Sequence, residues 1–363
     1  MNVGGDIDKA NVSSIQTDEF KYPVIANALS NDGIYGYTSE YKDDSPSITV
    51  TGRGDVGLAK YRDYPLFPIV RLLVLHSKGK IDCRFGEHAI NCIKKYEEST
   101  GVPQLTAPQL GAYSISFPNL TEQAKIGAFL KLIDDRISTQ IRIIAQLQSL
   151  ITGLNNNLMD NLSWENVQVG DFMDFYSTNF LSWEQLDYKQ GEVKNLHYGL
   201  IHSGLPTLID CGLCSLPNIK DEFLPKQYTL CEDGDVAFAD ASEDTNEVGK
   251  AVEIYDCRDL SVVCGLHTIH GRDKANATIV GFKGFAFNAK YFHDQLRRIS
   301  QGSKIYSIST DNVKSCYLRI PSKSEQKQVV RLLSAYLQKI DIAEQELNAY
   351  QVQKQYLLKT MFV

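Results

Sequence analysis

The sequence of 363 residues predicts a mixed α/β protein in which two globular domains alternate with two long coiled-coil helices, as an internal repeat. Three observations support this prediction. The same helix-start signal occurs twice at an offset of 203 residues, a long coiled-coil periodicity follows each copy, and short strand-like runs precede each copy.

The helix-start signal is a proline followed at fixed spacing by a small polar residue and a Glu-Gln pair. The two copies are Pro118, Thr121 and Glu122-Gln123, and Pro321, Ser324 and Glu325-Gln326. A small polar residue and an acid at this point are typical of a helix N-terminus, where the helix dipole is positive. We therefore predict long helices over residues 119–160 and 321–363.

Apolar residues follow each signal with alternating spacings of four and three. This is the pattern of the a and d positions of a coiled coil, and we call these positions the seam. The seam residues are Ile126, Leu130, Ile133, Ile137, Ile144, Leu147, Ile151 and Leu154 in the first helix, and Val329, Leu333, Tyr336, Ile340, Leu347, Tyr350 and Leu357 in the second. Only Gln140 and Lys354 interrupt the apolar pattern. At about 1.5 Å per residue, roughly forty residues would form a rod about 60 Å long, which suits a spacer better than a core helix.

The globular domains are predicted over residues 1–118 and 161–320. Both contain short β-branched or aromatic runs bounded by glycine, aspartate or proline, which is typical of strands. The clearest are Ser47–Thr51, Val70–Leu75, Asp235–Phe238 and Ala251–Tyr255, and Ala289–Ile299 is the clearest short helix.

Composition places few limits on the function. The chain is 43% hydrophobic and 22% charged, no apolar run approaches the roughly 18 residues of a membrane span, and no signal peptide is evident. We expect a cytoplasmic protein with its eight cysteines reduced. The net charge of −7 is unusual for a protein that binds nucleic acid, because phosphate neutralisation supplies much of the affinity.

One glycine-rich run resembles a nucleotide-binding fingerprint. Gly52–Gly57 matches G-x-G-x-x-G and follows a predicted strand. The following run, Leu58–Pro68, is unsuited to the helix that would hold a pyrophosphate, and no acid lies about 20 residues further on. A tight turn that exposes Arg53 is the better interpretation.

A second run has the spacing of metal ligands. Cys211 and Cys214 form a C-x-x-C pair that His267 and His270 could complete. A second C-x-x-C is missing, so we interpret these residues as parts of strands or loops and expect no metal. The sequence also lacks the P-loop, H-E-x-x-H, G-x-S-x-G and amino-methyltransferase signatures, so it shows no self-sufficient catalytic centre.

The repeated helix-start motif resembles that of the specificity subunits of type I restriction–modification systems. Further runs resemble the target-recognition domains of that family, and the resemblance covers essentially the whole chain. These runs are Tyr22–Ile25, Gly33–Tyr37 and Gln104–Thr106 in the first domain, and Asn195–His202, Gly234–Ala239, Gly265–Thr268 and Gln301–Ser303 in the second.

The resemblance implies a fold and a function. The two helices would pack antiparallel in a pseudo-two-fold repeat and hold two target-recognition domains apart, each reading half of a bipartite, asymmetric sequence in double-stranded DNA. The subunit itself would be non-catalytic and would hold no cofactor. Methyltransferase (M) subunits would bring S-adenosylmethionine, and a restriction/translocase (R) subunit would bring ATP and Mg.

Loops that follow strands often carry base contacts, and basic or polar residues there are the candidates for DNA binding. The candidates are Arg53, Lys60 and Arg62 in the first domain, and Lys250, Arg297, Arg298, Gln301, Ser303 and Lys304 in the second.

Three alternatives stay open at this point. The chain could be a coiled-coil assembly scaffold without DNA contact, the specificity protein of a combined methyltransferase-nuclease enzyme, or a zinc-dependent enzyme. The start of the first domain is also unusual. Trp164–Asp171 resembles the opening of a recognition domain, and an offset of 203 places its counterpart 39 positions before Met1. Either the first domain is a short variant or the chain starts late.

Overall fold

The structure is a computed structural model that describes residues 1–93, 104–302 and 304–362. The chain divides into two compact units. Unit 1 comprises Met1–Ile143 and Ala343–Val363, and unit 2 comprises Ile144–Ile342. Within the described ranges, no helix is both long enough and apolar enough to cross a membrane.

Two long helices contribute to both units. The first, α3 (Leu120–Met159), has 40 residues, and the second, α9 (Lys323–Met361), has 39. Their N-caps are Asn119 and Ser322, whose side chains accept hydrogen bonds from the amides of Glu122 and Glu325. The helices begin within two residues of the predicted 119 and 321, and Thr121 and Ser324 of the start signal lie inside the first turn.

The described part of unit 1 contains two sheets and two short α-helices. Its strands are β1 (Asn2–Val3), β2 (Tyr22–Ile25), β3 (Ile34–Thr38), β4 (Ser47–Val50), β5 (Ala59–Arg62), β6 (Phe67–Pro68) and β7 (Leu73–Leu75), and its helices are α1 (Cys83–Cys92) and α2 (Ala107–Gly111). An antiparallel sheet has the strand order β1-β7-β4-β5, and a second sheet has the order β3-β2-β6 with β2 and β6 parallel.

Unit 2 is larger and uses the same plan. Its strands are β8 (Glu165–Gln168), β9 (Met173–Tyr176), β10 (Leu186–Asp187), β11 (Lys194–Leu196), β12 (Leu208–Asp210), β13 (Asn218–Ile219), β14 (Val236–Ala239), β15 (Ala241–Ser242), β16 (Ala251–Asp256), β17 (Val262–Cys264), β18 (Thr268–Asp273), β19 (Tyr306–Ser307) and β20 (Tyr317–Ile320). Its short helices are α4 (Val169–Phe172), α5 (Tyr198–His202), α6 (Phe282–Phe287), α7 (Lys290–Ile299) and α8 (Thr310–Ser315).

The two units repeat one topology. In unit 2, β9, β18, β14 and β16 have the order and antiparallel pairing of β1, β7, β4 and β5 in unit 1. The second sheets also match, because β13, β11 and β17 pair as β3, β2 and β6 do. The predicted mixed α/β class with two domains and two long helices is confirmed, whereas the assignment of recognition domains to 1–118 and 161–320 stays a prediction.

The matched sheets relate the two units by a different offset from that of the helix starts. Asn2 pairs with Val74 and Tyr176 pairs with His270 at equivalent points of the two sheets, an offset of 174 in place of 203. The offset is smaller here because unit 2 has longer loops between its strands.

The strand predictions for Ser47–Thr51, Asp235–Phe238 and Ala251–Tyr255 and the helix prediction for Ala289–Ile299 are confirmed to within one residue. The strand predicted over Val70–Leu75 is shorter than expected. Val70 and Arg71 adopt left-handed backbone angles, with φ of 53° and 60°, and form a turn before β7.

The glutamine of each Glu-Gln pair connects the helix start to its domain. In unit 1, Gln123 is 1% exposed, and its side-chain oxygen accepts a hydrogen bond from the amide of Asp82 at 2.9 Å. Its side-chain nitrogen donates to the carbonyl oxygens of Lys80 (3.1 Å) and Pro118 (2.8 Å). This one side chain therefore fixes the loop before α1 against the start of α3.

Unit 2 repeats the arrangement with Gln326, which is fully buried. Its oxygen accepts from the amide of Ile279 at 2.8 Å, and its nitrogen donates to the carbonyl oxygens of Ala277 (3.0 Å) and Pro321 (2.9 Å). The glutamine satisfies one backbone donor and two backbone acceptors, all buried or partly buried, and the fixed proline-to-glutamine spacing brings it to them.

The long helices pack antiparallel within each unit, and every predicted seam residue is buried or half-buried. In unit 1, the Gln140 side chain donates to the carbonyl oxygen of Ala343 at 3.0 Å, and Lys354 pairs with Asp134. In unit 2, Ile151 and Leu337 pack against the same apolar core. Gln140 and Lys354, the two polar residues that interrupt the seam, thus have polar partners on the opposite helix.

A buried histidine in unit 1 predicts a pH dependence. His88 on α1 is 4% exposed and lies 3.9 Å from a carboxylate oxygen of Asp134 on α3. Burial lowers the pKa of His88 to about 4, and the charge of Asp134 only partly opposes this shift. The folded state thus binds a proton less readily than the unfolded chain, so the stability contributed by neutral His88 is present above pH 6.5 and is lost as the pH falls towards 4.

We expect the protonation of His88 to reduce the unfolding free energy of unit 1 by about 3 kcal/mol as the pH falls from 6.5 towards 4. Neighbouring Glu87 acts in the opposite sense, since burial raises its pKa. The measurement is therefore the difference in unfolding free energy between a chain with His88 and the His88→Gln variant. Both proteins carry Phe362→Trp as a fluorescence probe in unit 1 and are unfolded with urea at each pH. A difference that does not change between pH 7 and pH 4 would contradict the assignment.

Candidate nucleic-acid interface

Four chain segments meet at one end of the sheets in unit 1. We call this the unit 1 edge, and its residues are Asn27 after β2, Gly52-Arg53 after β4, Val70-Arg71 before β7, and Gln104 before α2. The Asn27 side chain accepts from the amide of Gly52 at 2.7 Å and donates to the carbonyl oxygen of Val70. Gln104 forms a β-bridge with Arg53. The four segments are therefore held together as one surface.

The unit 1 edge presents groups that suit base recognition. Arg53 is half-buried and Arg71 is exposed, and neither forms an ion pair with a described residue. Nη1 of Arg71 donates to the side-chain oxygen of Gln104 at 3.2 Å. Arginine suits guanine in the major groove, and asparagine or glutamine suits adenine.

The equivalent segments meet at the same end of the sheets in unit 2. We call this the unit 2 edge, and its residues are His197-Tyr198 after β11, Asp240-Ala241 after β14, Leu266-His267 before β18, and Ser307 before α8. Backbone hydrogen bonds establish the equivalence. The carbonyl oxygen of Asp240 accepts from the amide of Ile308 at 2.9 Å, as the carbonyl oxygen of Gly52 accepts from that of Leu105.

The loops leading from these edges also match. Gly57 and Gly249 have φ of 84° and 76°. The amide of Gly57 donates to the carbonyl oxygen of Thr51, which follows β4, and the amide of Gly249 donates to that of Ala239, which ends β14. The left-handed backbone at both positions favours glycine. The Gly52–Gly57 run is followed by strand β5 and not by a helix, which confirms its interpretation as a turn.

Aromatic and imidazole rings cover the unit 2 edge. Ring centroids are 4.4 Å apart for Trp183 and His197, 4.8 Å for His197 and Tyr198, and 5.1 Å for Tyr198 and His267. Trp183 and His267 are exposed. Nε2 of His202 bonds to the carbonyl oxygen of Ala241 at 2.9 Å, which fixes α5 beside the ring cluster. Such rings stack on bases or bond to their edges.

The ionisable side chains of the unit 2 edge are either paired with one another or neutral. Nδ1 of His267 lies 3.0 Å from a carboxylate oxygen of Asp240, and burial raises the pKa of Asp240 although His267 opposes the shift. Burial, followed by the charge of His267, lowers the pKa of His197. Nδ1 of His197 accepts from the amide of Gly199 at 3.1 Å. His197 is therefore neutral near pH 7 and acts as the N-cap of α5.

In unit 1, the structure places one of the three predicted DNA-binding residues, Arg53, on the edge. Lys60 and Arg62 lie within strand β5 and not in a loop, and both pair with Asp32. Arg62 is 4% exposed and also donates to Thr49 Oγ1 at 3.1 Å. Because its donors are used inside the unit, we do not include Arg62 in the interface.

In unit 2, Gln301 is the predicted residue that directly contacts a residue of the edge among the described residues. Gln301 is exposed and forms a β-bridge with Ser307. Lys250 lies on the loop before β16 and pairs with Glu247 at 2.8 Å. Arg297 lies on α7 and donates to Asn246 of the same loop at 3.2 Å. Arg298 and Lys304 are exposed, and Ser303 lies outside the described residues.

Residue type alone did not identify the central edge residues, Arg71 and Gln104 in unit 1 and Tyr198 and His267 in unit 2. The family-like runs Gln104–Thr106, Asn195–His202 and Gly265–Thr268 contain three of the four. In the sequence, those runs could have identified the edge residues, because all of them lie near strand ends.

The sequence spacing suggested Cys211, Cys214, His267 and His270 as possible metal ligands, a grouping that we did not favour, and it is not observed among the described residues. His267 faces Asp240 at the exposed edge, whereas His270 is buried beside Asp235. Any metal chemistry would involve a different set of ligands.

Together, these features define a class of protein. It has two domains of one topology, antiparallel long helices in each compact unit, and a polar loop edge on each domain. The family model for the type I restriction modification DNA specificity domain matches residues 4–149 and 259–350, and the chain belongs to that family.

Known relatives agree with this membership. A protein named as a type I specificity subunit of Mycoplasma pneumoniae (strain ATCC 29342 / M129 / Subtype 1) is 29% identical over 183 residues, which is 50% of this chain and 49% of the relative. A second, named as the C-terminus of such a subunit from the same strain, is 30% identical over 149 residues, 41% of this chain and 90% of the relative. The chain thus matches about half the length of the first relative.

Two solved structures share the fold. The S subunit of a type I restriction-modification system from M. genitalium superposes with a TM-score of 0.63 at 17% identity, over 100% of this chain and 93% of the other. A chain from a study of assembly and conformational transition of the type I system superposes with a TM-score of 0.57 at 12% identity, over 94% and 91%. The resemblance stated from the helix-start motif is confirmed.

Proposed function

We propose that this chain is the DNA-specificity subunit of a type I restriction–modification complex and that it reads a bipartite, asymmetric target. The observation that carries the proposal is the pair of edges. The same four segments form both edges, yet the side chains differ. Arg53, Arg71 and Gln104 in unit 1 correspond to Ala241, His267 and Ser307 in unit 2.

The difference between the edges accounts for the asymmetry. Direct readout depends on the donors and acceptors that a protein presents to base edges. An edge with two arginines and a glutamine favours a different base sequence from an edge with histidines, a tyrosine and an aspartate. Two such edges in one chain would read two unlike half-sites.

The acidic composition is compatible with this role if partner subunits provide most phosphate contacts. The net charge is −7, and the cations that border the unit 2 edge lie beside acids, as Lys250 lies beside Glu247. Phosphate contacts position a protein on DNA, whereas base contacts select the sequence. The chain would therefore select bases within a larger complex.

Chemistry would belong to the partners. Methyltransferase subunits would supply S-adenosylmethionine and modify adenine, and a restriction/translocase subunit would supply ATP hydrolysis with Mg. This chain would contribute recognition and assembly and would not be catalytic.

Two equivalent positions on the long helices are suited to docking. Phe129 on α3 and Leu332 on α9 are related by the offset of 203, and each is 42% exposed. Exposed apolar side chains commonly anchor protein interfaces. An apolar anchor that recurs in both copies of the repeat fits two identical partners, which supports two methyltransferase subunits per chain.

Substituting either docking position is expected to remove one methyltransferase copy. Phe129→Glu or Leu332→Glu would place a charge in a desolvated contact, and the double variant would lose both copies. Native mass spectrometry of the complex reports the stoichiometry. The control is Ile141→Glu, which is also exposed but has Glu344 as its repeat counterpart. Loss of both copies in one single variant, or equal loss in the control, would contradict docking by repeat.

Substituting one edge is expected to change one half-site only. Arg71→Ala should relax recognition at one half-site by about 5- to 150-fold, the value of a good base contact, and His267→Ala should affect the other half-site. Methylated-base sequencing of a plasmid library reports both half-sites at once. Lys125→Ala, at an exposed position on α3, is the control. If either edge variant altered both half-sites, or neither, the assignment of one edge to one half-site would be wrong.

A further inference from the structure

Unit 2 concentrates thiols at one place in its interior. Five of the eight cysteines of the chain pack in or against one apolar cluster beneath β11, β12, β14, β16 and β17. They are Cys211, Cys214, Cys231, Cys257 and Cys264. Buried cysteines often serve as small apolar residues, so the thiols alone do not define a site.

Two of these thiols have the geometry of metal ligands. Sγ of Cys231 and Sγ of Cys264 are 3.7 Å apart. In a tetrahedral zinc site with Zn–S bonds of about 2.3 Å, two sulfur ligands are separated by about 3.8 Å. The ligand atoms of Cys231, Cys264 and His270 all lie within 4.8 Å of one another, and all three residues are buried.

The histidine of this group is oriented as in metal sites. Nε2 of His270 lies 2.7 Å from a carboxylate oxygen of Asp235, and both residues are 1% exposed. Two hydrogen bonds from Arg272, at 2.8 and 2.7 Å, hold Asp235 in place. These are charge-assisted hydrogen bonds from a guanidinium, and they stabilise the carboxylate form of Asp235.

An ionised carboxylate only accepts hydrogen bonds, so Nε2 of His270 carries the proton and donates it. In the neutral ring, the other nitrogen, Nδ1, then has a free lone pair. A histidine ligand whose second nitrogen donates to a carboxylate is the usual arrangement around zinc, where it fixes the tautomer and the ring orientation.

We propose that Cys231, Cys264 and His270 bind a structural Zn²⁺ ion in the core of unit 2. Two thiolates and an imidazole are soft ligands that favour zinc over magnesium or calcium. The fourth position of the tetrahedron would be taken by a donor outside this group. Sequence spacing had pointed to another grouping, in which only His270 is shared.

Such an ion would stabilise the unit 2 edge from below. Cys264 ends β17 and His270 lies in β18, and the turn between these strands carries His267. The metal would therefore connect both sides of this turn. Its presence does not depend on the proposed DNA recognition, and the test below is independent of DNA binding.

The affinity is expected to depend on pH. Zinc is bound by thiolates and not by thiols, so binding of the dication displaces the protons of the two cysteines and should strengthen as the pH rises.

The test is anaerobic titration of the full-length chain with Co²⁺ alone, followed by absorption spectroscopy, and elemental analysis of the chain purified without chelators. We expect one ion per chain and a thiolate-to-cobalt charge-transfer band that zinc displaces. Cys231→Ser and Cys264→Ser should weaken binding at least 10-fold. Cys316→Ser, which removes a buried thiol of unit 2 outside the cluster, should leave binding unchanged.

If the serine variants fail to fold, the Co²⁺ titration of the native chain is sufficient to test the proposal. A folded native chain that gives no charge-transfer band with Co²⁺ would overturn the proposal. A Cys264→Ser variant that binds as tightly as the native chain would also overturn it.

Discussion

Replacing Gln326 by alanine is expected to lower the unfolding free energy of unit 2 by about 4 kcal/mol. The substitution leaves the amide of Ile279 and the carbonyl oxygens of Ala277 and Pro321 without the side chain that now bonds to them. Each buried polar group left without a partner costs roughly 1–3 kcal/mol, and the lost volume adds a cavity. This change should therefore exceed that of most single substitutions.

Urea titration by tryptophan fluorescence measures this effect directly, because both tryptophans, Trp164 and Trp183, lie in unit 2. The matched control is Gln328→Ala, an exposed position two residues further along α9. It should change the unfolding free energy by no more than about 0.5 kcal/mol. Equal effects of the two substitutions would show that helix propensity, and not the buried hydrogen bonds, determines the result.

Removing one heptad from each long helix at facing positions is expected to shorten the unread spacer of the target by about three base pairs. Seven residues correspond to about 10 Å of helix, and a base pair rises about 3.4 Å. The deleted segments would be residues 137–143 of α3 and 343–349 of α9. A heptad is close to two helical turns, so the seam residues of the two helices stay in register after the deletion.

Methylated-base sequencing again provides the measurement. Both half-sites should stay unchanged while the distance between them decreases. As a control, a four-residue deletion at the same place in each helix changes the phase of the seam and should abolish methylation. Altered half-sites in the heptad deletion would show that the helices do more than set the spacing.

The helices and their pairing could be predicted from sequence because a coiled coil repeats the same apolar pattern every seven residues. Each seam residue contributes to one periodic pattern, so single polar interruptions such as Gln140 and Lys354 did not obscure it. The Glu-Gln pairs were visible as a motif, but the role of Gln123 and Gln326 was not. Their partners, at Asp82 and Ile279, lie more than forty residues away in sequence.

The edges were harder to predict because they depend on strand ends that come together only in the folded units. Val70 and Arg71 read as part of a strand, since the left-handed turn that exposes Arg71 has no glycine to mark it. Arg62 had the right residue type for DNA binding but lies in β5, where Asp32 and Thr49 take its donors. Residue type indicates which side chains could read bases, and only the topology shows which are exposed.

The central claim is that this chain selects the DNA sequence that the complex methylates. The most direct test is methylated-base sequencing of DNA from cells that express the methyltransferase subunit of the neighbouring gene, with and without this chain. We predict an asymmetric, bipartite adenine-methylation motif that appears only with the chain. A stable complex with the methyltransferase that produced no chain-dependent motif would contradict the claim that this chain selects the DNA sequence.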